Sequence, residues 1–222
     1  MLFRSDFDFN TYVRLLSDFA NNDLSAFYFD IRKDSLYCDA ATSTKRRACR
    51  TILDILFHAL VRYAAPVLVF TSEEVWGTRY PDAGSVHLLE WPELPTLAQK
   101  ASGWEVLREL RSQITESIEP LRKDKTIGSS LEAAVKIFLN DEELSDELIT
   151  VGLTELAIVA SVDFVIEPSQ FVETLLTQER PSVFRFEVTK TTHRKCGRCW
   201  RHLPEVSADG ALCDRCSEVV NG

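Results

Sequence analysis

Four cysteines near the C-terminus have the residue type and spacing of a metal site. Cys196 and Cys199 form one Cys-x-x-Cys pair, Cys213 and Cys216 form a second, and 13 residues separate the pairs. Two such pairs can turn four thiolates toward one tetrahedral metal ion and leave no open position for water or substrate. The spacing therefore predicts one structural zinc ion, with disulfide pairing as the alternative.

The segment that carries these cysteines, residues 189–222, has few large apolar side chains to build a core of its own. Zinc binding would then supply the free energy that folds it. A redox pair of the thioredoxin type is a poor match, because two motifs stand here in a basic segment. The remaining cysteines, Cys38 and Cys49, are expected to be buried or free thiols without a function.

Positive charge is clustered although the net charge is −9. One group consists of Lys45, Arg46, Arg47 and Arg50. A second group surrounds the first cysteine pair and includes Trp200 among its cations: Arg194, Lys195, Arg198 and Arg201. Such asymmetry suits a protein that meets phosphates along a defined track. For the Lys45 group, an ordinary solvated helix face is the alternative interpretation.

The composition is that of a globular protein, with 222 residues of which 45% are hydrophobic. No apolar run reaches the roughly 20 residues of a membrane span, and the N-terminus does not resemble a signal peptide. We therefore expect no membrane contact and a cytoplasmic location. Phosphate-binding loops of the Gly-x-x-x-x-Gly-Lys-Ser/Thr and Gly-x-Gly-x-x-Gly types are missing, and no grouping of catalytic side chains stands out.

The elements that must position these residues begin with helices. Apolar residues at helical spacing predict two helices between residues 6 and 34, interrupted at Asn21-Asn22-Asp23. An apolar stripe from Ala48 to Tyr63 predicts the strongest helix, which Pro66 must end or kink. Thr71-Ser-Glu-Glu74 is a capping box that predicts a further short helix.

The later residues mix helices and strands. Residues 86–91 predict a short strand or an extended segment, and Ser102-Gly-Trp-Glu105 predicts the start of a helix that continues to Leu121. Beyond it, the pattern predicts three strands and a short acidic helix: Ala133–Leu139, Leu156–Ile166 and Phe184–Val188 for the strands, and Glu142–Ile149 for the helix. The predicted fold is mainly α: a helical bundle (1–93), a small α/β module (94–188) and a zinc finger (189–222).

The cysteine pairs, with Trp200 directly after the first, resemble the C-terminal zinc finger of bacterial isoleucyl-tRNA synthetases. Three further segments resemble the same family in the same order: 23–37 its anticodon-binding helices, 66–76 the close of that helical domain, and 127–135 the connecting region. The resemblance runs from about residue 6 to residue 222. The family's His-Ile-Gly-His and Lys-Met-Ser-Lys-Ser type motifs and its editing domain are not present, so only the C-terminal third is matched.

The resemblance implies an isoleucine-tRNA ligase, an ATP-dependent aminoacylating enzyme of protein biosynthesis, in which this chain is a non-catalytic recognition part. It implies tRNA(Ile) and the catalytic and editing domains of the parent synthetase as partners, and a monomer. Lys45, Arg46, Arg47 and Arg50 would contact phosphates, and Arg194, Lys195 and Arg201 would add RNA contacts. Arg198 and Trp200 would stack on anticodon bases. The alternative is that Trp200 packs over the Cys196–Cys199 turn next to it.

Two other functions remain open. One is a stand-alone zinc-dependent RNA-binding protein with no ligase attached. The other is a relative of DNA glycosylases of the formamidopyrimidine type, which end in a related zinc finger. Those enzymes carry a Pro-Glu amino terminus that supplies the nucleophile, whereas this sequence begins Met1-Leu-Phe.

Overall fold

The structure, a computed structural model, describes residues 8–96, 104–139, 152–166 and 184–222. The chain divides into two compact units, residues 1–100 and 101–222. Among the described residues no helix has both the length and the apolar character needed to cross a membrane. A separate zinc finger from residue 189 stays a prediction, since the second unit includes both that segment and the α/β module.

The helical unit begins with one continuous helical path. Helix α1 (Phe9–Asp18) passes through a π-helical segment (Phe19–Phe29) into α2 (Asp30–Cys38). The predicted interruption at Asn21-Asn22-Asp23 is therefore wrong. Leu24, next to these residues, is 5% exposed, so its burial outweighs their turn preference, and the wider π turns accommodate the chain without ending the helix.

Helix α3 (Thr44–Ala64) is the predicted strongest helix, and it ends before Pro66 as expected. The Ser43 hydroxyl caps it by accepting a hydrogen bond from the Arg46 backbone N–H at 3.4 Å. α3 packs against α2 and against the helix that follows it. The Tyr12 hydroxyl of α1 donates to the Tyr63 carbonyl at 2.5 Å, so α1 lies beside the C-terminal end of α3.

Helix α4 (Val69–Arg79) begins two residues before the predicted capping box, which lies inside it. Inside the predicted box, the Glu73 carboxylate accepts hydrogen bonds from the Ser85 hydroxyl (2.8 Å) and the Val86 N–H (3.0 Å). The predicted strand over residues 86–91 does not form: these contacts tighten the chain into a 3₁₀ turn (Val86–Leu88), and the extended alternative holds only from Leu89, whose backbone is extended.

The second unit packs a long helix against a small sheet. Helix α5 (Trp104–Lys123) buries Leu110, Ile114 and Ile118 at four-residue spacing. The sheet has the order β2-β1-β3, with the central strand parallel to β2 and antiparallel to β3. Its strands are β1 (Ala133–Leu139), β2 (Ser161–Ile166) and β3 (Arg185–Lys190).

Most predictions for this unit are confirmed. β1 has the predicted bounds and buries alternate residues, and β3 covers most of the predicted third strand. The predicted strand from Leu156 begins only at Ser161, because the short helix α6 (Leu153–Ala157) occupies its start. The Ser102-Gly103 start of α5 and the predicted helix Glu142–Ile149 lie outside the described residues. A helix-rich chain with a small mixed sheet and a C-terminal cysteine cluster agrees with the predicted class.

Candidate metal centre and nucleic-acid interface

The four cysteine sulfur atoms meet at one point, all within 4.8 Å of one another. The first pair lies on the turn between two short antiparallel strands, β4 (Arg194–Lys195) and β5 (His202–Leu203). The second pair lies at the start of helix α7 (Asp214–Asn221). The Cys199 and Cys213 sulfurs are 3.8 Å apart, which equals the edge of a tetrahedron with metal–sulfur bonds of about 2.3 Å.

Hydrogen bonds to the sulfurs prepare the cluster for a cation. The Cys213 N–H donates to the Cys196 sulfur at 3.3 Å, and the Arg198 Nη1 donates to the Cys216 sulfur at 3.6 Å. Burial raises the pKa of Cys196, but the backbone N–H groups of Cys199, Arg198 and Cys213 outweigh it and lower the pKa to about 6. Burial raises the pKa of the Cys199 and Cys213 thiols. A bound divalent cation would offset this burial cost by holding all four sulfurs as thiolates.

Gly197 is required by the close approach of two loops. Its N–H donates to the Ala211 carbonyl and the Gly210 N–H donates to the Lys195 carbonyl, both at 3.0 Å. A Cβ atom on Gly197 would lie 2.4 Å from the Gly210 carbonyl oxygen. The loop after β5 therefore closes over the first cysteine pair only if residue 197 has no side chain.

We expect Gly197→Ala to destabilise the zinc-loaded tail by about 1 to 3 kcal/mol, because backbone atoms must move to admit the methyl group. Zinc competition titration with a chromophoric chelator would measure this as weaker zinc binding. Gly77→Ala is the matched control, since nothing lies within 4 Å of its Cβ position in α4. Equal zinc affinity in the two variants would contradict the packing described for these loops.

The Trp200 side chain is exposed next to the turn that carries Cys196 and Cys199. It adopts a left-handed backbone conformation with φ of 65° and is 61% exposed. The Lys195 Nζ lies 5.2 Å from the centre of its ring. The alternative in which Trp200 packs over the Cys196–Cys199 turn to shield a metal does not match this exposure. Left-handed backbone costs a non-glycine residue about 1 to 2 kcal/mol, and here it belongs to the turn that the Trp200 N–H closes by donating to the Cys196 carbonyl at 3.1 Å.

Trp200 stands at the edge of a cleft of about 730 Å³ that is lined by three cations, Lys190, Arg194 and Lys195, and two acids, Glu132 and Asp209. Arg194 and Lys195, two of the predicted RNA-binding residues, line it and are exposed. Arg201 is half-buried on the same ribbon, and Arg198 is half-buried with its Nη1 on the Cys216 sulfur. The structure thus brings Arg194, Lys195 and Trp200 together and ties Arg198 to the metal cluster.

Glu132 also lines this cleft, and sequence reasoning missed it. Its carboxylate lies 3.2 Å from the Lys190 Nζ and accepts a hydrogen bond from the Gly128 N–H at 3.2 Å. Burial raises the pKa of Glu132, but these two partners outweigh it and lower the pKa below its ordinary value. The ionised Glu132 pairs with Lys190 and thereby joins the residue before β1 to the last residue of β3. No sequence signal links the two residues, which the sheet alone brings together.

The Lys45 group occupies the N-terminal end of α3. Lys45, Arg47 and Arg50 are exposed there. Arg46 is half-buried, and its Nη1 donates to the Asp39 carbonyl at 2.8 Å, which closes the loop between α2 and α3. Three of the four predicted phosphate contacts therefore present their side chains to solvent, while Arg46 holds the loop that carries them.

Comparisons with known proteins agree with this arrangement. Residues 3–137 match the family described as the anticodon-binding domain of tRNA ligase, and residues 194–219 match the zinc finger found in FPG and IleRS. An isoleucine–tRNA ligase of Zymomonas mobilis is 53% identical over 222 residues, covering 96% of this chain and 22% of the relative. One of Ruegeria pomeroyi is 43% identical over 220 residues, with 96% and 22% covered.

The chain thus spans about a fifth of the length of these relatives, and it matches their C-terminal region. A likeness to Agrobacterium fabrum isoleucine–tRNA ligase, 41% identical over 206 residues, covers 91% of this chain and 21% of that protein. The resemblance inferred from the cysteine pairs and the three upstream segments is confirmed. This chain belongs to the anticodon-binding domain family of tRNA ligases, and its tail carries the zinc finger that isoleucine–tRNA ligases share.

Proposed function

We propose that this chain recognises the anticodon of tRNA(Ile) as the C-terminal part of an isoleucine–tRNA ligase. The observation that carries the proposal is the exposed Trp200 ring, held in left-handed backbone between the two cysteine pairs at the edge of the cleft that Arg194 and Lys195 line. The ATP-dependent aminoacylation belongs to the rest of the parent enzyme, and no residue of this chain takes part in it. The chain acts in the cytoplasm, within a monomeric enzyme.

One zinc ion bound by Cys196, Cys199, Cys213 and Cys216 is part of the proposal. The sulfur separations and the N–H···S hydrogen bonds fit a closed four-thiolate site. The metal contributes shape: it fixes the turn between β4 and β5, and thereby the direction in which the Trp200 ring points.

In this proposal the side chains have two roles in RNA binding, base stacking and phosphate contact. Trp200 offers a flat apolar face on which an unpaired base can stack. The Arg198 guanidinium, anchored at Cys216, offers a second plane beside it. The remaining cations contact phosphates and set the register of the RNA without reading its sequence: Lys45, Arg46, Arg47, Arg50, Arg194, Lys195 and Arg201.

A filter-binding titration of the zinc-loaded chain against isoleucine and valine tRNA transcripts, repeated over a salt series, tests the proposal. Isoleucine tRNA should bind more tightly at every salt concentration. Arg46 closes the loop between α2 and α3, so the slope is counted on the other six cations: Lys45, Arg47, Arg50, Arg194, Lys195 and Arg201. Each phosphate contact contributes about −0.7 to the slope for single strands, so log K should fall with log salt at a slope of about −4.

Equal affinity for the two transcripts would reject specific recognition, and a steep slope without discrimination would leave phosphate contacts alone. The two other functions considered, a stand-alone RNA-binding protein and a glycosylase relative, have no observation of their own. The match over residues 3–137 is to tRNA ligases.

A further inference from the structure

Three cations surround a depression at the C-terminal end of α5. Arg122 and Lys123 are exposed in the last turn of the helix, and Lys125 is exposed directly after it. The depression has a volume of about 370 Å³, and the buried Ile127 and the exposed Gly128 complete its lining. We call Arg122, Lys123 and Lys125 the basic turn. These residues lie outside both groups of cations to which RNA contacts were assigned above.

The acids beside the basic turn are already engaged within the protein. The Glu119 carboxylate accepts a hydrogen bond from the Arg122 Nη1 at 2.9 Å. The Asp124 carboxylate accepts one from the Thr126 N–H at 2.9 Å and thereby closes the turn. Among the described residues, no ion pair joins an acid to the Lys123 or Lys125 side chain. Two ammonium groups at this depression are therefore available to an anion.

The backbone at Lys125 does not account for a lysine at this position. Its φ is 64°, in the left-handed region, and its N–H donates to the Arg122 carbonyl at 3.2 Å as the helix ends. Glycine is the usual residue in this conformation after a helix, because a side chain adds steric strain there. A lysine stands where glycine would suit the backbone best, so its side chain is the feature that needs a role.

The depression adjoins the cleft at whose edge Trp200 stands. The Gly128 N–H donates to the Glu132 carboxylate at 3.2 Å, and Glu132 lines that cleft. The Lys190 Nζ, which also lines the cleft, donates to the Thr126 carbonyl at 3.1 Å. Two hydrogen bonds thus tie the residues after the basic turn to the rim of the Trp200 cleft.

Positive charge exceeds negative charge along the two depressions. Six cations and three acids line them together. Each acid lies within 4 Å of one cation: Glu119 of Arg122, Glu132 of Lys190, and Asp209 of Arg194. The three remaining cations are Lys123, Lys125 and Lys195, of which Lys195 lies beside the Trp200 ring. A groove that combines surplus positive charge with an exposed aromatic ring is typical of sites for a single-stranded nucleic acid.

We propose that Lys123 and Lys125 bind backbone phosphates of the RNA strand whose unpaired base stacks on Trp200. The proposal rests on the proposed function and extends the RNA site from the zinc finger to the end of α5. Lysine contacts to phosphates fix the path of the strand without reading its sequence. The strand therefore runs along one face of the second unit, from the cleft at Trp200 across Gly128 to the basic turn.

A salt series of filter-binding titrations on the zinc-loaded full chain tests the proposal. Lys125→Gly should make the slope of log K against log salt shallower by about 0.7, the contribution of one phosphate contact on a single strand. Affinity for isoleucine tRNA should then fall about fivefold at about 0.1 M salt and approach wild type at about 1 M. Lys123→Gln, which keeps the helix propensity of lysine, should do the same.

The two contacts should add. Lys123 and Lys125 come in addition to the six cations counted above, so the wild-type slope should steepen from about −4 to about −5.6. The double variant should lose about 25-fold in affinity at about 0.1 M salt, with a slope shallower by about 1.4.

Three controls separate phosphate contact from folding. Lys125→Gly relieves the left-handed strain, so its melting temperature should not fall below that of wild type. Lys125→Arg keeps the charge and should keep the wild-type slope. Lys136→Gln is the matched control, because Lys136 is exposed on β1, lies outside both depressions and pairs with Glu187 at 3.4 Å. Its slope should equal that of wild type.

Wild-type slopes in both Lys125→Gly and Lys123→Gln overturn the proposal, and so does an equal loss in Lys136→Gln. A lower melting temperature with an unchanged slope overturns it as well. That result would mean that the cations only stabilise the C-terminal end of α5 through the helix dipole.

Valine tRNA in the same titrations separates this proposal from the proposed function. Loss of a phosphate contact should weaken binding of both transcripts by the same factor. A wild-type chain that does not discriminate between the transcripts, while the variants show shallower slopes, would sink the proposed function alone. Discrimination with unchanged slopes would sink the basic turn alone, and a chain that binds neither transcript contradicts both.

Discussion

Replacing Cys213 with serine should unfold residues 194–219 and leave the helical unit intact. Cys213 is 1% exposed and supplies one of the four sulfurs, and its N–H also donates to the Cys196 sulfur. Changes in the second shell of a zinc site already cost about 10- to 100-fold in affinity, so loss of a ligand should cost more. Because zinc binding contributes about 10 to 16 kcal/mol to the folding of comparable fingers, the tail should not survive the loss.

Zinc content by plasma mass spectrometry and ¹H–¹⁵N correlation spectra would measure both effects. Wild type should carry one zinc per chain, and the variant should lose both the metal and the dispersed resonances of the tail. Cys38→Ser is the control, since Cys38 is a buried cysteine of the helical unit, outside the sulfur cluster. Retention of zinc by Cys213→Ser, or a well-dispersed tail in metal-free wild type, would show that the cluster is not the scaffold described.

Replacing Trp200 with alanine should weaken RNA binding about 5- to 150-fold, since each base–aromatic stacking contact contributes about 1 to 3 kcal/mol. The ring is 61% exposed, and the Nζ atom of the flexible Lys195 side chain lies 5.2 Å from its centre. Zinc content should stay at the wild-type level. Little loss of RNA affinity, with zinc retained, would show that Trp200 does not contact the RNA.

Trp200→Gly separates recognition from folding. Glycine adopts the observed φ of 65° without strain, and this gain offsets the lost ring contact, so stability should stay within about 1 kcal/mol of wild type. RNA binding should fall as in the alanine variant. Trp104→Ala, which removes a 40% exposed indole from α5, should leave RNA affinity unchanged. A large drop in the thermal stability of Trp200→Gly would instead indicate a structural role for the ring.

The metal cluster could be predicted from sequence because its constraint is local. Cysteines three positions apart must share a turn, and only the pairing of the two turns depends on tertiary structure. The long helix α3 and the central strand β1 could also be predicted from the sequence, since each carries an unbroken hydrophobic periodicity of one kind. The π-helical segment was not, because burial of Leu24 decides it against a local turn preference.

The sequence also does not predict which atoms individual charged side chains contact. Arg46 and Arg198 look alike in sequence to the cations beside them, yet one closes a loop and the other donates to a cysteine sulfur. Glu73 looks in sequence like an ordinary acid on a helix surface, yet it holds the turn that begins at Ser85. Each of these roles depends on which backbone atoms or sulfurs come near in the folded chain, which residue spacing does not encode.

Transplanting the isoleucine anticodon into valine tRNA gives the most direct test of anticodon recognition. The zinc-loaded chain should bind the chimeric transcript about as tightly as isoleucine tRNA and more tightly than unaltered valine tRNA. With Trp200→Ala, the chimera and unaltered valine tRNA should bind more nearly alike. An affinity for the chimera that stays at the valine level would show that the chain binds tRNA without reading its anticodon, and would contradict the account.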